Sequence, residues 1–178
     1  MRKIIAAFIY LSLASVAFAQ QDLPWDSFET KELRWTPVNW QNARPIELSI
    51  TDSLSKAAGK PSAGKFSLCV DIKEDVNKSR NKIAIYREEG LDLSKHNISL
   101  DIFVQNSMNA AAAVAFETGK KWTYYESSQI PLKKGWNKDV TFDLSKPTFE
   151  SQASGWKYDA KLADRGDVRK VIILVYNA

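Results

Sequence analysis

The stretch "ISLDIFVQ", residues 98–105, alternates in type. Ile98, Leu100, Ile102 and Val104 are aliphatic, and Ser99, Asp101 and Gln105 between them are polar. Phe103 alone departs from the pattern. A helix would gather its apolar residues three and four apart. A period of two places the four aliphatic side chains on one face of a half-buried strand. The period recurs at 66–72, where Phe66, Leu68, Val70 and Ile72 alternate with Ser67, Cys69 and Asp71, and at 140–144 with Val140, Phe142 and Leu144. Residues 46–51, 82–87, 111–117 and 122–128 are expected as further strands. The run 171–175 is apolar throughout and reads as a strand covered on both faces.

Turn chemistry separates these runs at Gly59-Lys60-Pro61, Gly64, Gly90, Gly119 and Lys134-Gly135. Thr118-Gly119-Lys120-Lys121 reads as a hairpin loop. The alanines 110–113 invite a helix, but they lead directly into Val114-Ala115-Phe116, and 106–109 reads as a turn, so strand is the expectation. There is no long amphipathic helix, internal repeat or domain boundary. Roughly nine strands in one chain predict an all-β fold, a β-sandwich of jelly-roll type.

The first residues read differently. Arg2 and Lys3 precede a mostly apolar run that ends in Ala17-Phe18-Ala19, the small-x-small pattern of a signal-peptide cleavage site. Cleavage is expected before Gln20. No later stretch has the roughly 18 consecutive apolar residues of a membrane span. The expected mature protein, 20–178, is therefore one domain, secreted or periplasmic. Losing Arg2 and Lys3 lowers the formal charge from +4 to +2, which argues for neither nucleic acid nor an anionic membrane as partner.

The residues of common catalytic sites are scarce. His96 is the only histidine and Cys69 the only cysteine, so no zinc spacing exists. No nucleophile motif accompanies His96, and no Gly-rich phosphate loop occurs. Carboxylates are plentiful, but the Glu-x-Asp-x-x-Glu strand motif of jelly-roll glucanases is missing. Arg165-Gly166-Asp167 reads as a turn.

The aromatics offer a binding surface instead. Within "KKWTYYESSQIPLKKGW", residues 120–136, strand alternation places Trp122 and Tyr124 on one face and Tyr125 on the other. If Val114 and Phe116 are buried, Ala113, Ala115 and Glu117 face outward. Phe103 and Gln105 are outward residues of the preceding strand, and an outward Phe invites a ligand. Flat aromatics cover the C–H face of a sugar, while Gln105, Glu117 and Arg87 are polar groups suited to its hydroxyls. For Trp136, core packing is the simpler reading.

The series "SFE" (27–29), "GKFSLCVDI" (64–72), "LDLSKHNISLDIFV" (91–104), "AVAFETGKKWTYYES" (113–127), "IPLKKGWNKDVTFDLS" (130–145) and "VRKVIILVYN" (168–177) resembles non-catalytic carbohydrate-binding modules of the galactose-binding-like jelly-roll fold, as attached to cellulases, xylanases and β-glucanases. The resemblance implies a polysaccharide of β-glucan or xylan type bound on a concave sheet. It also implies a structural calcium, with Glu29 and Asp143 as the matching carboxylates. Members commonly continue past the 171–177 strand into a Gly-containing turn and a final aspartate-bearing strand, whereas this sequence stops at Ala178. Within these 178 residues no catalytic domain is expected beside the module. Two other readings stay open: an adhesion or scaffold sandwich with a protein partner in an extracellular assembly, and a small polysaccharide-degrading enzyme.

Overall fold

A computed structural model describes residues 4–15, 24–39, 46–57, 64–73, 81–105 and 110–177, the first of these through its backbone alone. The cleavage site before Gln20 and the turns at 59–61 and 106–109 lie outside the described residues. Among the described residues thirteen strands follow in chain order: β1 (Ile4–Ser15), β2 (Pro24–Asp26), β3 (Thr36–Pro37), β4 (Ile46–Thr51), β5 (Ser67–Lys73), β6 (Asn81–Leu91), β7 (His96–Val104), β8 (Ala110–Thr118), β9 (Thr123–Ser127), β10 (Ile130–Leu132), β11 (Gly135–Phe142), β12 (Phe149–Glu150) and β13 (Val168–Asn177). The one described helix is a single short turn, Ser53–Ala57. No described helix is long and apolar enough to cross a membrane.

The strands form two antiparallel sheets. One runs β11-β7-β1-β5-β4, with β2 beside β1. The other runs β12-β9-β8-β13-β6-β3, with β10 beside β8. Their facing sides share one core. Leu68 and Val70 of β5 and Ile98, Leu100, Ile102 and Val104 of β7 meet Ile83 and Ile85 of β6, Val114 and Phe116 of β8, and Val171, Ile173 and Val175 of β13. The fold is all-β and consistent with a β-sandwich. The alternation at 98–105 has the expected consequence, since its four aliphatic residues are all buried in that core. The alanine run is strand β8, because Ala112 fills the core side and Ala113 the other. Residues 171–175 are buried on both faces, as their unbroken apolarity requires.

Three features lie outside the strand pattern read from the sequence. Trp122 precedes β9 rather than belonging to it. It closes the turn after β8, with its N–H donating to the Gly119 carbonyl at 3.1 Å and with φ +53°. The short β2, β3, β10 and β12 carry too few residues to show a period. And the apolar run near the start, expected as a removable leader, supplies β1 to the first sheet.

Candidate functional site

The outer side of the second sheet is where polar chemistry and aromatic surface coincide. Its register aligns side chains in rows across the strands. One row reads Glu150, Glu126, Ala115, Ile172, Tyr86. A flanking row reads Tyr124, Glu117, Lys170, Glu88. On the other side lie Ala113, Leu174, Ala84 and then Ala111, Tyr176, Lys82. Directly opposed side chains in an antiparallel pair stand on the same face. The small residues are therefore the floor of this face. Ala84, Ala113, Ala115, Ile172 and Leu174 are fully covered, with Val38 and the rings of Tyr86, Tyr124 and Tyr176 packed against them. Ala113 and Ala115 do point away from the core, as expected, but tyrosines cover them and no open alanine groove results.

Glu126 organises this layer. It is 3 % exposed and accepts hydrogen bonds from the Tyr124 hydroxyl at 2.6 Å, from the Tyr176 hydroxyl and from Lys82 Nζ at 3.1 Å. Burial and the Glu126 charge both hold the Tyr124 and Tyr176 phenols above their ordinary value, so they stay protonated donors. Glu150, the register partner of Glu126, is also pushed up, first by burial and then by the Glu126 charge, against a hydrogen bond from Tyr158. The Tyr158 phenol is raised to about 12 by burial and the same two carboxylates.

A second polar cluster centres on Lys170. Its ammonium lies 2.9 Å from Glu117 and 3.4 Å from Glu88. The same ammonium sits over two rings, 5.1 Å from Tyr86 and 5.4 Å from Trp122. Burial alone would lower its pKa, but the two carboxylates outweigh that and hold it raised. Lys170 thereby draws Trp122 onto this face from its turn.

Exposed rings rim the layer. Among the described residues, Trp122, Trp156 and Tyr158 are the large aromatics most open to solvent, at 44 %, 56 % and 42 %. The Trp156 ring lies 6.4 Å from that of Tyr124. Trp156 belongs to a loop tied by Ser154, whose hydroxyl contacts Ser151 and Lys157. The Trp156 backbone amide also donates to the Ser151 carbonyl at 3.0 Å.

The residues singled out from the sequence divide. Trp122, Tyr124 and Glu117 come together on this face. Tyr125 points the other way and is buried in the core, since one residue reverses the face. Arg87 shares the parity of Ile83 and Ile85 and opposes Val171, so it also turns inward. There it pairs with Asp26 at 3.1 Å and Glu89 at 2.6 Å and lies over the Trp25 ring. Phe103 lies on the outer side of the opposite sheet, its ring 5.4 Å from Trp136 beside Leu54 and Cys69. Gln105 follows β7 at that sheet, exposed. Phe103 and Gln105 therefore cannot share a ligand with Trp122 and Tyr124.

Glu29 ties down a turn distant in sequence, and Asp143 serves its own local turn. Glu29 accepts the Lys65 and Phe66 amides at 2.6 and 2.7 Å. Asp143 accepts the Ser145 amide at 3.0 Å and the Ser145 hydroxyl at 2.6 Å, and the hydroxyl bond is the main cause that lowers its pKa. Among the described residues no group of three or more His, Cys, Asp or Glu side chains is placed to hold a metal. Arg165-Gly166-Asp167 is a turn, as expected, whose guanidinium donates to the Leu93 and His96 carbonyls.

Reading by sequence missed Glu126, Glu150, Tyr86, Tyr176, Trp156 and Tyr158. Parity alone could have placed Tyr176 with Ile172 and Leu174, and Tyr86 with Ala84. Comparison with family models, with curated proteins and with solved structures finds no match to this chain.

Proposed function

We propose that the outer face of the second sheet binds polysaccharide without chemistry, and that the chain is an exported carbohydrate-binding module of the galactose-binding-like jelly-roll type. The observation that carries this reading is the rim of exposed aromatics, Trp122, Trp156 and Tyr158, around a polar cluster of Glu126, Glu150, Lys82 and Lys170. Aromatic faces suit the apolar side of a pyranose, and clustered donors and acceptors suit its hydroxyls. The face bears Glu88, Glu117, Glu126 and Glu150 against Lys82 and Lys170, an excess of carboxylate. A neutral chain of β-glucan or xylan type fits that balance, and a polyuronate is repelled. Calcium at Glu29 or Asp143 rests on the resemblance alone.

The test is native affinity electrophoresis in gels containing β-glucan, xylan, xyloglucan, glucomannan or pectin, with and without calcium. The expected result is retardation by a neutral polymer and none by pectin. Free mobility in every gel sinks the reading and turns attention to a protein partner.

One observation favours a second reading. Glu126 and Glu150 are adjacent carboxylates in unlike environments, the arrangement from which acid and base roles arise in glycoside hydrolysis. Glu126, however, is nearly buried and already bonded to three donors. Release of reducing ends from a retarded polymer, lost in Glu150→Gln, would establish a hydrolase.

A further inference from the structure

The carboxylates on the outer face of the second sheet are not equally matched. Glu126 has Lys82, whose Nζ lies 3.4 and 3.1 Å from its two oxygens. Glu117 and Glu88 share Lys170, at 2.9 and 3.4 Å. Glu150 has a phenol instead, since the Tyr158 hydroxyl donates to it. Among the described residues, Glu150 is thus the one of these four carboxylates with no cation of its own. It also stands directly opposite Glu126, a charge of the same sign. Like charges directly opposed across two strands are unfavourable. Lys82 offsets this only weakly, because its ammonium is committed to Glu126.

Aromatic surface adjoins this unmatched charge. The Tyr158 ring is 42 % exposed, and Glu150 lies one hydrogen bond, roughly 2.7 Å, beyond its hydroxyl. A sugar stacked on that ring carries its own substituents to the carboxylate. Trp156, in the same loop and 56 % exposed, leans on Tyr124, whose hydroxyl is bonded to Glu126. The two observations are independent, one a charge imbalance within the sheet and the other exposed rings on the loop after β12. A ligand hydroxyl would hydrogen-bond Glu150 and leave its charge unmatched. An ammonium would match it with a charge-assisted bond, and the ring faces attract a cation as well.

We propose that the sugar unit seated at Tyr158 and Trp156 carries a free amino group whose ammonium pairs with Glu150, so that a β-linked glucosamine chain binds more tightly than its neutral counterpart. This inference rests on the polysaccharide reading and narrows it. Net charge does not account for such a preference. The formal charge of the chain is +4, so the protein as a whole repels a polycation and the attraction has to be local.

Three β-1,4-linked hexasaccharides that differ only at carbon 2, bearing hydroxyl, amino or acetamido, provide the test. Isothermal titration uses the full chain at about pH 6, above the ordinary carboxyl range. The amino hexamer should bind about tenfold more tightly than either of the others. Glu150→Gln keeps the shape of the side chain and removes its charge, and should bring that ratio to within about twofold of unity. Glu47→Gln, on an exposed position of the first sheet, should leave the ratio as it is. Equal affinity for all three hexamers overturns the inference and leaves the polysaccharide reading in place. Binding of none sinks both. A preference that survives Glu150→Gln moves the cation elsewhere, and a hexalysine peptide bound more tightly than the amino hexamer makes a basic protein the partner. Either result also overturns the proposal.

Discussion

Glu126 and Glu150 stand opposite each other across the β9–β12 pair, yet the sheet treats them differently. Glu126 is nearly buried and receives two phenols and an ammonium, while Glu150 is half-buried and has Tyr158. Replacing Glu126 by Gln removes the charge and one of its two acceptor oxygens. Lys82 and one tyrosine then lose their bond. Bonds to charged groups contribute about 1.5–3 kcal/mol each, an upper value of about 3–6 kcal/mol for the two, and water can replace the partner of the part-exposed Lys82, so Glu126→Gln should cost about 2–3 kcal/mol in urea unfolding. A loss below about 0.5 kcal/mol would show that solvent replaces these bonds freely.

Glu150 sets a pH dependence. Its carboxyl is raised in the fold, first by burial and then by the charge of Glu126. The folded chain therefore keeps this proton at pH values where the unfolded chain has lost it. Bound protons are then more numerous in the folded state, and stability contributed by this site falls as pH rises above the ordinary carboxyl range. Glu150→Gln removes the effect. Thermal midpoints measured between pH 4 and pH 8 (a span chosen to bracket ordinary carboxyl titration) should fall less with pH in the variant, which should be the more stable of the two at neutral pH. Parallel curves for the two proteins would remove Glu150 as the cause.

Arg87 ties the two sheets rather than serving the outer face. Its guanidinium joins Asp26 of β2 to Glu89 of β6, and Asp26 also accepts the Trp35 indole N–H at 3.1 Å. Arg87→Ala leaves Asp26 without its cation in a nearly buried place, which costs about 3–5 kcal/mol. Urea unfolding should show that loss. Electrophoretic retardation per folded molecule should not change, and a protein of native stability that fails to bind would return Arg87 to the ligand site.

What could be read in advance follows from period. The aliphatic positions 98–104 and the unbroken run 171–175 place themselves, because each strand side chain has only two faces to choose from. Tyr125 and Arg87 obey the same rule and were in principle legible as inward. The site itself was not, since it depends on which strands are neighbours. Tyr86, Tyr176 and Tyr124 meet only because β6, β13, β8 and β9 adjoin in that order, a fact of pairing with no local signature. Phe103 shows the reverse case: its departure from the polar pattern is explained by Trp136, a register neighbour on β11. Trp156 and Tyr158 sit in a loop, where no period exists to reveal them.

Trp122 and Trp156 share a backbone feature that separates binding from stability. Both hold φ in the left-handed region, +53° and +60°, where a bulky side chain is unfavourable and glycine is not. Both rings are also about half exposed, so little packing is lost on removing them. Trp122→Gly and Trp156→Gly should therefore leave urea stability unchanged or raise it by up to about 1 kcal/mol. Tyr125→Ala, in the core, should lose about 3–5 kcal/mol. Binding should respond in the opposite sense. If each exposed ring contributes about 2 kcal/mol to a sugar contact, each glycine variant weakens polysaccharide affinity by roughly 30-fold. From a dissociation constant of about 30 μM, corresponding to about −6 kcal/mol, that reaches the millimolar range, where retardation in an affinity gel disappears. Strain held at two exposed tryptophans makes sense if the rings meet a ligand. Glycine variants that lose stability while retaining affinity would instead make both tryptophans packing residues and move the binding surface elsewhere.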